Sequence, residues 1–285
     1  MTNTSLDISG KLEAEVLEII ELLISVCTAS GIEPLLVGAV ARDIHFLHVH
    51  GIPTGRATVD VDFALLVHSW DAFNEVMKEL TRDGTYTRDK KLEHRVHAPV
   101  GIMFDLLPFG EIEEPEGKIS WPPDFDHVMS TTGFQDALDS AQVCRVKADP
   151  PIEIRVVSIP GMAVLKLIAW ADGYPERSKD AIDFRFILEN YDAGQIDRLF
   201  SEEENLEEVV TSEYELAVAQ LLGRDAGRMM TADTRHVVLG ILEEELRGDG
   251  QLRLVGDMLV DSVQGADFVM AQIKHFRQGI LDAAA

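Results

Sequence analysis

The chain has 285 residues, enough for two modest domains with buried cores. Its 25 basic residues stand against 50 acidic ones, a net charge of −25 that excludes attraction of nucleic acid by the overall field. Any nucleic-acid partner needs a local basic patch, and a cationic small molecule or a basic protein stays in play; Cys27 and Cys144 form no CxxC pair, which excludes a disulfide framework and a cysteine zinc site.

In chain order, residues 1–10 are polar and lack the basic-then-apolar pattern of a signal segment. The apolar stretch 16–26 is broken by Glu18 and Glu21 and is too short to span a bilayer, so the expectation is a cytoplasmic protein with no membrane segment. Residues 11–30 predict an amphipathic helix, with Leu12, Val16, Ile19, Ile20, Leu23 and Cys27 on one face and Gly31 as its stop. A short buried strand follows at 33–37, then Gly38, then a helix over 40–50 carrying Val40, Ile44 and Leu47. Residues 51–55 read as a loop and 59–67, rich in β-branched residues and Leu, as a central strand. Ser69 caps a helix that turns Phe73, Val76, Met77 and Leu80 inward. Strands are predicted near 93–98 and 101–107, an ordered loop over 110–133 with Pro115, Pro122 and Pro123, and further strands near 142–147 and 152–157. From Ile159 the pattern becomes helical, through 160–171, 177–190, 202–222, 232–247 and 255–280, with Ser201 and Glu204 as a capping box. The division is an α/β half to about residue 157 and an all-helical half after it.

Asp60-Val61-Asp62 is the chemical centre of the sequence. On a strand, residues i and i+2 project to the same side, so the two carboxylates converge. They repel one another and cost desolvation, and a divalent cation with a preference for hard oxygen ligands, Mg²⁺ or Mn²⁺, compensates both effects. Asp105 lies in the otherwise apolar run 102–107 and completes the set if its strand is a neighbour. Three carboxylates around two metals activate an attacking hydroxyl and stabilise departing pyrophosphate.

Residues 36–43, LVGAVARD, followed by residues 56–63, RATVDVDF, resemble the opening of the DNA polymerase β-like nucleotidyltransferases. There a Gly-Ser or Gly-Gly turn begins a short helix and a DxD strand follows. Leu165-Lys166-Leu167, and residues 177–183 with their R-x-K-D-x-x-D pattern, are similar to later motifs of the AbiEii/AbiGii-type toxin nucleotidyltransferases. The four motifs come in the right order and the resemblance spans residues 35–190. It implies an α+β fold: a polymerase β-like nucleotidyltransferase domain with a mixed sheet over 1–157, then an all-helical C-terminal domain over 158–285 that completes the active-site cleft.

By position, the resemblance makes Asp60, Asp62 and Asp105 the metal ligands, with Asp105 also accepting the acceptor's proton. It makes Gly38 and Ala39 the phosphate turn, Lys166 the ligand of the β- and γ-phosphates, and Asp180 the residue that orients Lys166, with Asp183 as the competing choice. Arg42 and Arg56 are candidate phosphate ligands; Arg42 also reads as a structural partner of Asp43. Ala39 stands where the superfamily has Ser or a second Gly, which removes a hydroxyl from the turn. Arg177 and Lys179 could touch phosphate or substrate, and His94-Arg95 could point at the site from the adjacent strand. Trp121 with residues 122–124 either stacks a base or packs the loop down. His45, His48 and His50 lack a further ligand at zinc spacing and read as surface or boundary histidines.

The implied function is transfer of a nucleoside monophosphate from an NTP to an acceptor hydroxyl with release of pyrophosphate, by a toxin-type enzyme acting on tRNA or protein and accompanied by an antitoxin. Two alternatives stay open. One is a small-molecule nucleotidyltransferase acting on an aminoglycoside-like cation, drawn by acidic walls such as Glu202, Glu203, Glu204, Glu207 and Glu208. The other is a non-catalytic nucleotide- or partner-binding protein, for which Ala39 speaks.

Overall fold

The computed structural model describes residues 6–55, 60–99, 101–201, 203–204, 206–247 and 252–283. The chain divides into two compact units, Met1–Ser158 and Ile159–Ala285.

The first unit is built on a mixed sheet that has eight strands among the described residues. In chain order its elements are β1 (Leu6–Asp7), α1 (Ala14–Ala29), β2 (Pro34–Val37), α2 (Gly38–Asp43), β3 (Asp60–Val67), α3 (Trp70–Leu80), β4 (Thr87–Arg88), β5 (Arg95–His97) and β6 (Met103–Gly110). A hairpin of β7 (Lys118–Ser120) and β8 (Val128–Ser130), then α4 (Phe134–Asp139), β9 (Gln142–Ala148) and β10 (Pro151–Val156), complete it. The sheet order is β1-β9-β10-β2-β3-β6-β5-β4, with β3 and β6 parallel and β2, β5 antiparallel to their neighbours β3, β6. All four residues of β2 are buried, as expected of a strand covered on both faces. Helix α1 turns Ile19, Ile20, Leu23 and Cys27 into the core, and the Ser69 hydroxyl caps α3 by accepting from the Ala72 N–H at 3.1 Å.

The expected helix over 40–50 starts earlier and changes winding. Helix α2 opens at Gly38 and widens into a π-helical turn over Ile44–Val49. The wider turn accompanies burial of three successive side chains, Ile44, His45 and Phe46. The stretch expected as a loop contains the β7–β8 hairpin, whose three-residue strands are too short to carry a period-2 signal. Its Trp121 is packed among Trp70, Phe73 and His94 at ring separations of 5.4, 5.8 and 5.3 Å, so it holds the loop down and offers no free face for a base.

The second unit is helical: α5 (Ile159–Asp172), α6 (Ser178–Asn190), α7 (Ile196–Leu199), α8 (Glu207–Ser212), α9 (Tyr214–Met229), α10 (Ala232–Leu246), α11 (Arg253–Met258) and α12 (Ala266–Asp282). Helices α9 and α12 cross closely. A Cβ at Gly223 would overlap the Phe276 carbonyl oxygen, and one at Gly279 the Gln220 carbonyl oxygen. Two expected long helices are each divided, at Glu213 and at the turn before Gly265, where the backbone is extended. The expected capping box is absent. Ser201 donates to the Arg198 carbonyl oxygen, and Glu204 is drawn into an arginine cluster instead, accepting from Arg198 at 2.6 Å and Arg228 at 3.2 Å. Glu204 is buried there, which corrects its assignment to an open acidic wall; Glu202 lies outside the described residues.

Candidate active site

The register of three adjacent strands assembles the site. Asp60 lies opposite Met103 and Asp62 opposite Asp105 across β3 and β6, while Arg95 lies opposite Asp105 across β5 and β6. Cross-strand partners share a face, and side chains two apart on one strand do as well. Asp60, Asp62, Asp105 and Arg95 therefore project together from one side of the sheet. Asp105 is buried at 8% exposure, and Asp60 and Asp62 are half-buried.

Gly38 sits against this face. Val37 pairs with Asp62, and the next residue turns into α2 with φ +70°, a left-handed conformation natural only to glycine. A Cβ there would overlap Asp62 Oδ2 and lie 2.8 Å from its Cγ. The glycine thus serves two purposes: it makes the turn, and it admits the Asp62 carboxylate beside the backbone. Ala39 follows, half-buried. Arg42 is 3% exposed and donates to Asp43 Oδ1 from Nε at 3.3 Å and Nη2 at 3.1 Å. The contact with Asp43 is the structural pairing that the sequence offered as one of two readings of Arg42. Arg56 lies outside the described residues.

The charges on the carboxylate face are unevenly met. Asp60 Oδ1 is buried and has no hydrogen-bond partner among the described residues. An unpaired buried carboxylate oxygen is costly, and hard oxygen donors of this kind suit a divalent cation. Asp105, by contrast, is chelated by Arg95: Nε donates to Oδ1 at 2.7 Å and Nη2 to Oδ2 at 2.8 Å. The hydrogen bond to Asp105 holds Arg95 above its ordinary pKa against the opposing effect of burial, and the charges of Asp105, Asp60 and Asp62 add to it. Among the described residues, no group of three His, Cys, Asp or Glu side chains is placed to hold an ion. The hard carboxylate oxygens of Asp60 and Asp62 suit a divalent ion, whereas both oxygens of Asp105 accept from Arg95.

His94 reaches the same carboxylate more weakly, with Nε2 3.8 Å from Asp105 Oδ2. Burial pushes its imidazole below the ordinary value, partly offset by the Asp105 charge, so the neutral ring is favoured. Sequence reading aimed His94-Arg95 at the site from the adjacent strand; what it did not give is that Arg95 pairs with Asp105. The Ala98 N–H donates to the Ile102 carbonyl oxygen at 2.9 Å, next to the β5–β6 pairing that sets residues 95 and 105 opposite one another. His45, read as a surface or boundary residue, is instead buried, with Nε2 2.7 Å from the Val157 carbonyl oxygen.

In the helical unit, Lys166 on α5 stands between two carboxylates of α6, 2.8 Å from Asp180 Oδ1 and 2.8 Å from Asp183 Oδ2. Arg177 reaches the other oxygen of Asp180 at 2.6 Å. Burial pulls the Lys166 pKa down, but Asp180 and Asp183 outweigh it and the net shift is upward. Burial pushes Asp180 up, and Lys166 and Arg177 outweigh that to lower it. Both groups are held charged, and Lys166 belongs to Asp180 and Asp183 together. Lys179, next to Asp180 in the chain, is exposed.

No described helix is long and apolar enough to cross a membrane. No curated protein matches the chain. Similar solved structures include a CCA-adding enzyme in complex with ATP, 12% identical, covering 95% of this chain and 82% of that one with a TM-score of 0.33. Others are a Thermotoga maritima CCA-adding enzyme complexed with tRNA-CCA (11%, 96% and 82%, TM-score 0.27) and a CCA-adding enzyme with CTP (12%, 96% and 70%, TM-score 0.33). The family model described as nucleotidyl transferase AbiEii toxin, type IV toxin–antitoxin system, matches residues 38–245, from the Gly38 turn through the carboxylate strands to the helices that carry Lys166 and Asp180. The chain belongs to the AbiEii nucleotidyl transferase toxin family.

Proposed function

We propose that this nucleotidyltransferase is metal-dependent, and that it moves a nucleoside monophosphate from an NTP to an acceptor hydroxyl on tRNA or protein. The observation that carries the reading is the common face of Asp60, Asp62 and Asp105, with a buried Asp60 Oδ1 that has no hydrogen-bond partner among the described residues. Bound Mg²⁺ or Mn²⁺ would supply Lewis-acid polarisation of the α-phosphate and acidify the acceptor hydroxyl. Asp60 and Asp62 would hold the ions, and Asp105 would take the acceptor's proton. The acceptor oxygen bonds to the α-phosphorus as the bridging α–β P–O bond breaks, and the electron pair leaves on pyrophosphate. The Gly38–Ala39 turn is assigned to the phosphates through its backbone amides, since Ala39 offers no hydroxyl. Lys166 is assigned to the β- and γ-phosphates, with Asp180 fixing its ammonium.

The type IV toxin–antitoxin description of the family supports a toxin role, a cognate antitoxin and a cytoplasmic site of action. The net charge of −25 favours a second reading, a cationic small-molecule acceptor. The test is transfer of α-labelled NTP with Mg²⁺ or Mn²⁺ in the presence of total RNA, cell protein extract, or an aminoglycoside panel. Label on RNA or protein supports the toxin-type reading. Label confined to an aminoglycoside replaces it with the small-molecule one, and binding of NTP without label on any acceptor overturns both.

A further inference from the structure

Among the described residues the carboxylate face carries Asp60, Asp62, Asp105 and Arg95, and Arg95 is committed to one of the three acids. Arg95 spends both of its inward nitrogens on Asp105, while a buried oxygen of Asp60 has no partner among the described residues. A second ion that used Asp105 would have to take an oxygen now accepting from Arg95.

We propose that Arg95 is a positioning residue that latches Asp105, standing in for one cation and admitting only one divalent ion until nucleotide arrives. The inference rests on the metal-dependent reading above. Three features support it. The pair is bidentate, the strongest geometry available to a carboxylate and a guanidinium, so Asp105 is held rather than merely near. Arg95 is set opposite Asp105 by strand register, so the latch is a property of the fold and not of a wandering side chain. The Arg95 side chain keeps 23% of its surface open, which leaves a path for the guanidinium to swing away without unpacking the sheet. Nucleotide phosphates provide the reason to swing: they offer Arg95 new anionic partners and carry the charge that a second ion would otherwise leave unbalanced.

The experiment counts Mn²⁺ bound per chain by the loss of the free-ion EPR signal, with and without a non-hydrolysable α,β-methylene NTP analogue. An Asp60→Asn, Asp62→Asn protein subtracts adventitious surface binding. The expected result is one ion for the wild type alone, two with the analogue, and two for Arg95→Gln without it. Arg95→Lys keeps the charge but loses the fork, and its second ion is expected roughly tenfold weaker than that of Arg95→Gln. This variant preserves the test where the Gln protein folds poorly. Adding Asp105→Asn to Arg95→Gln should return the count to one. Equal counts and affinities in the wild type and both Arg95 variants would overturn the latch and leave the metal-dependent reading standing. Binding of no Mn²⁺ by any protein, analogue present or not, would overturn both.

Discussion

Asp62 stands directly opposite Asp105 across the parallel pair β3 and β6, and the glycine that precedes α2 leaves room for the Asp62 carboxylate beside the backbone. Two acids from strands more than forty positions apart are thereby fixed as neighbours by register alone. The cost of that proximity makes the face useful: the repulsion is relieved by a cation.

Asp60→Asn and Asp62→Asn should therefore separate stability from activity. Asp60→Asn removes a like charge from the face, so its thermal stability without metal should be unchanged or slightly higher. Transfer should fall by about three orders of magnitude, the equivalent of several kcal/mol of transition-state stabilisation. Melting curves and initial rates on the same preparations check both halves, and a variant that lost activity only by unfolding would contradict the assignment.

Gly38→Ala should be damaging in a way that Gly51→Ala is not, although both glycines have positive φ, +70° and +72°. At Gly51 a Cβ meets open space, so the cost is backbone strain alone, about 1 kcal/mol. At Gly38 it would also meet the Asp62 carboxylate, so the loss in chemical denaturation should be larger. Mn²⁺ binding should be weakened only in the Gly38 variant.

Much of this face was legible from residue order. The i, i+2 rule puts Asp60 and Asp62 on one side of a strand, and an apolar run around Asp105 marks a buried neighbour. What one strand's sequence does not state is which strand lies beside it and what answers its charges. Arg95 is readable as a charge aimed at the site from the adjacent strand, but only the β5–β6 register shows that it answers Asp105. The division of the expected helix at Glu213, the π-helical turn and the three-residue hairpin strands are likewise set by tertiary packing that outweighs local propensity.

Lys166 offers a test of its buried triad. Lys166→Met leaves Asp180 and Asp183 without their shared cation, and the expected loss is about 3–5 kcal/mol. Adding Asp180→Asn and Asp183→Asn to that variant should restore much of the stability while leaving transfer abolished. Urea unfolding gives the first quantity and label transfer the second. Retained activity in Lys166→Met would remove it from the phosphate site.

His45 makes stability depend on pH. Burial lowers its pKa from 6.5 to about 4, opposed by the hydrogen bond to the Val157 carbonyl oxygen, so the folded protein keeps the ring neutral. Above pH 6.5 both folded and unfolded states carry the neutral ring and the contribution is fully present. As pH falls toward 4 the unfolded state takes up a proton that the folded state refuses, and about 3 kcal/mol is lost. Relative to wild type, His45→Gln should gain stability over that interval and show no such gain between pH 7 and 8. Parallel urea midpoints for the two proteins across the interval would contradict the placement.

The most direct measurement is pyrophosphate release from NTP in the presence of a labelled acceptor fraction, run with Mn²⁺, with chelator, and with the Asp62→Asn protein. The account predicts release matched by label on the acceptor in the first case and neither in the other two. Release and label that survive chelation, or that Asp62→Asn leaves intact, would contradict a metal-dependent transfer centred on this face.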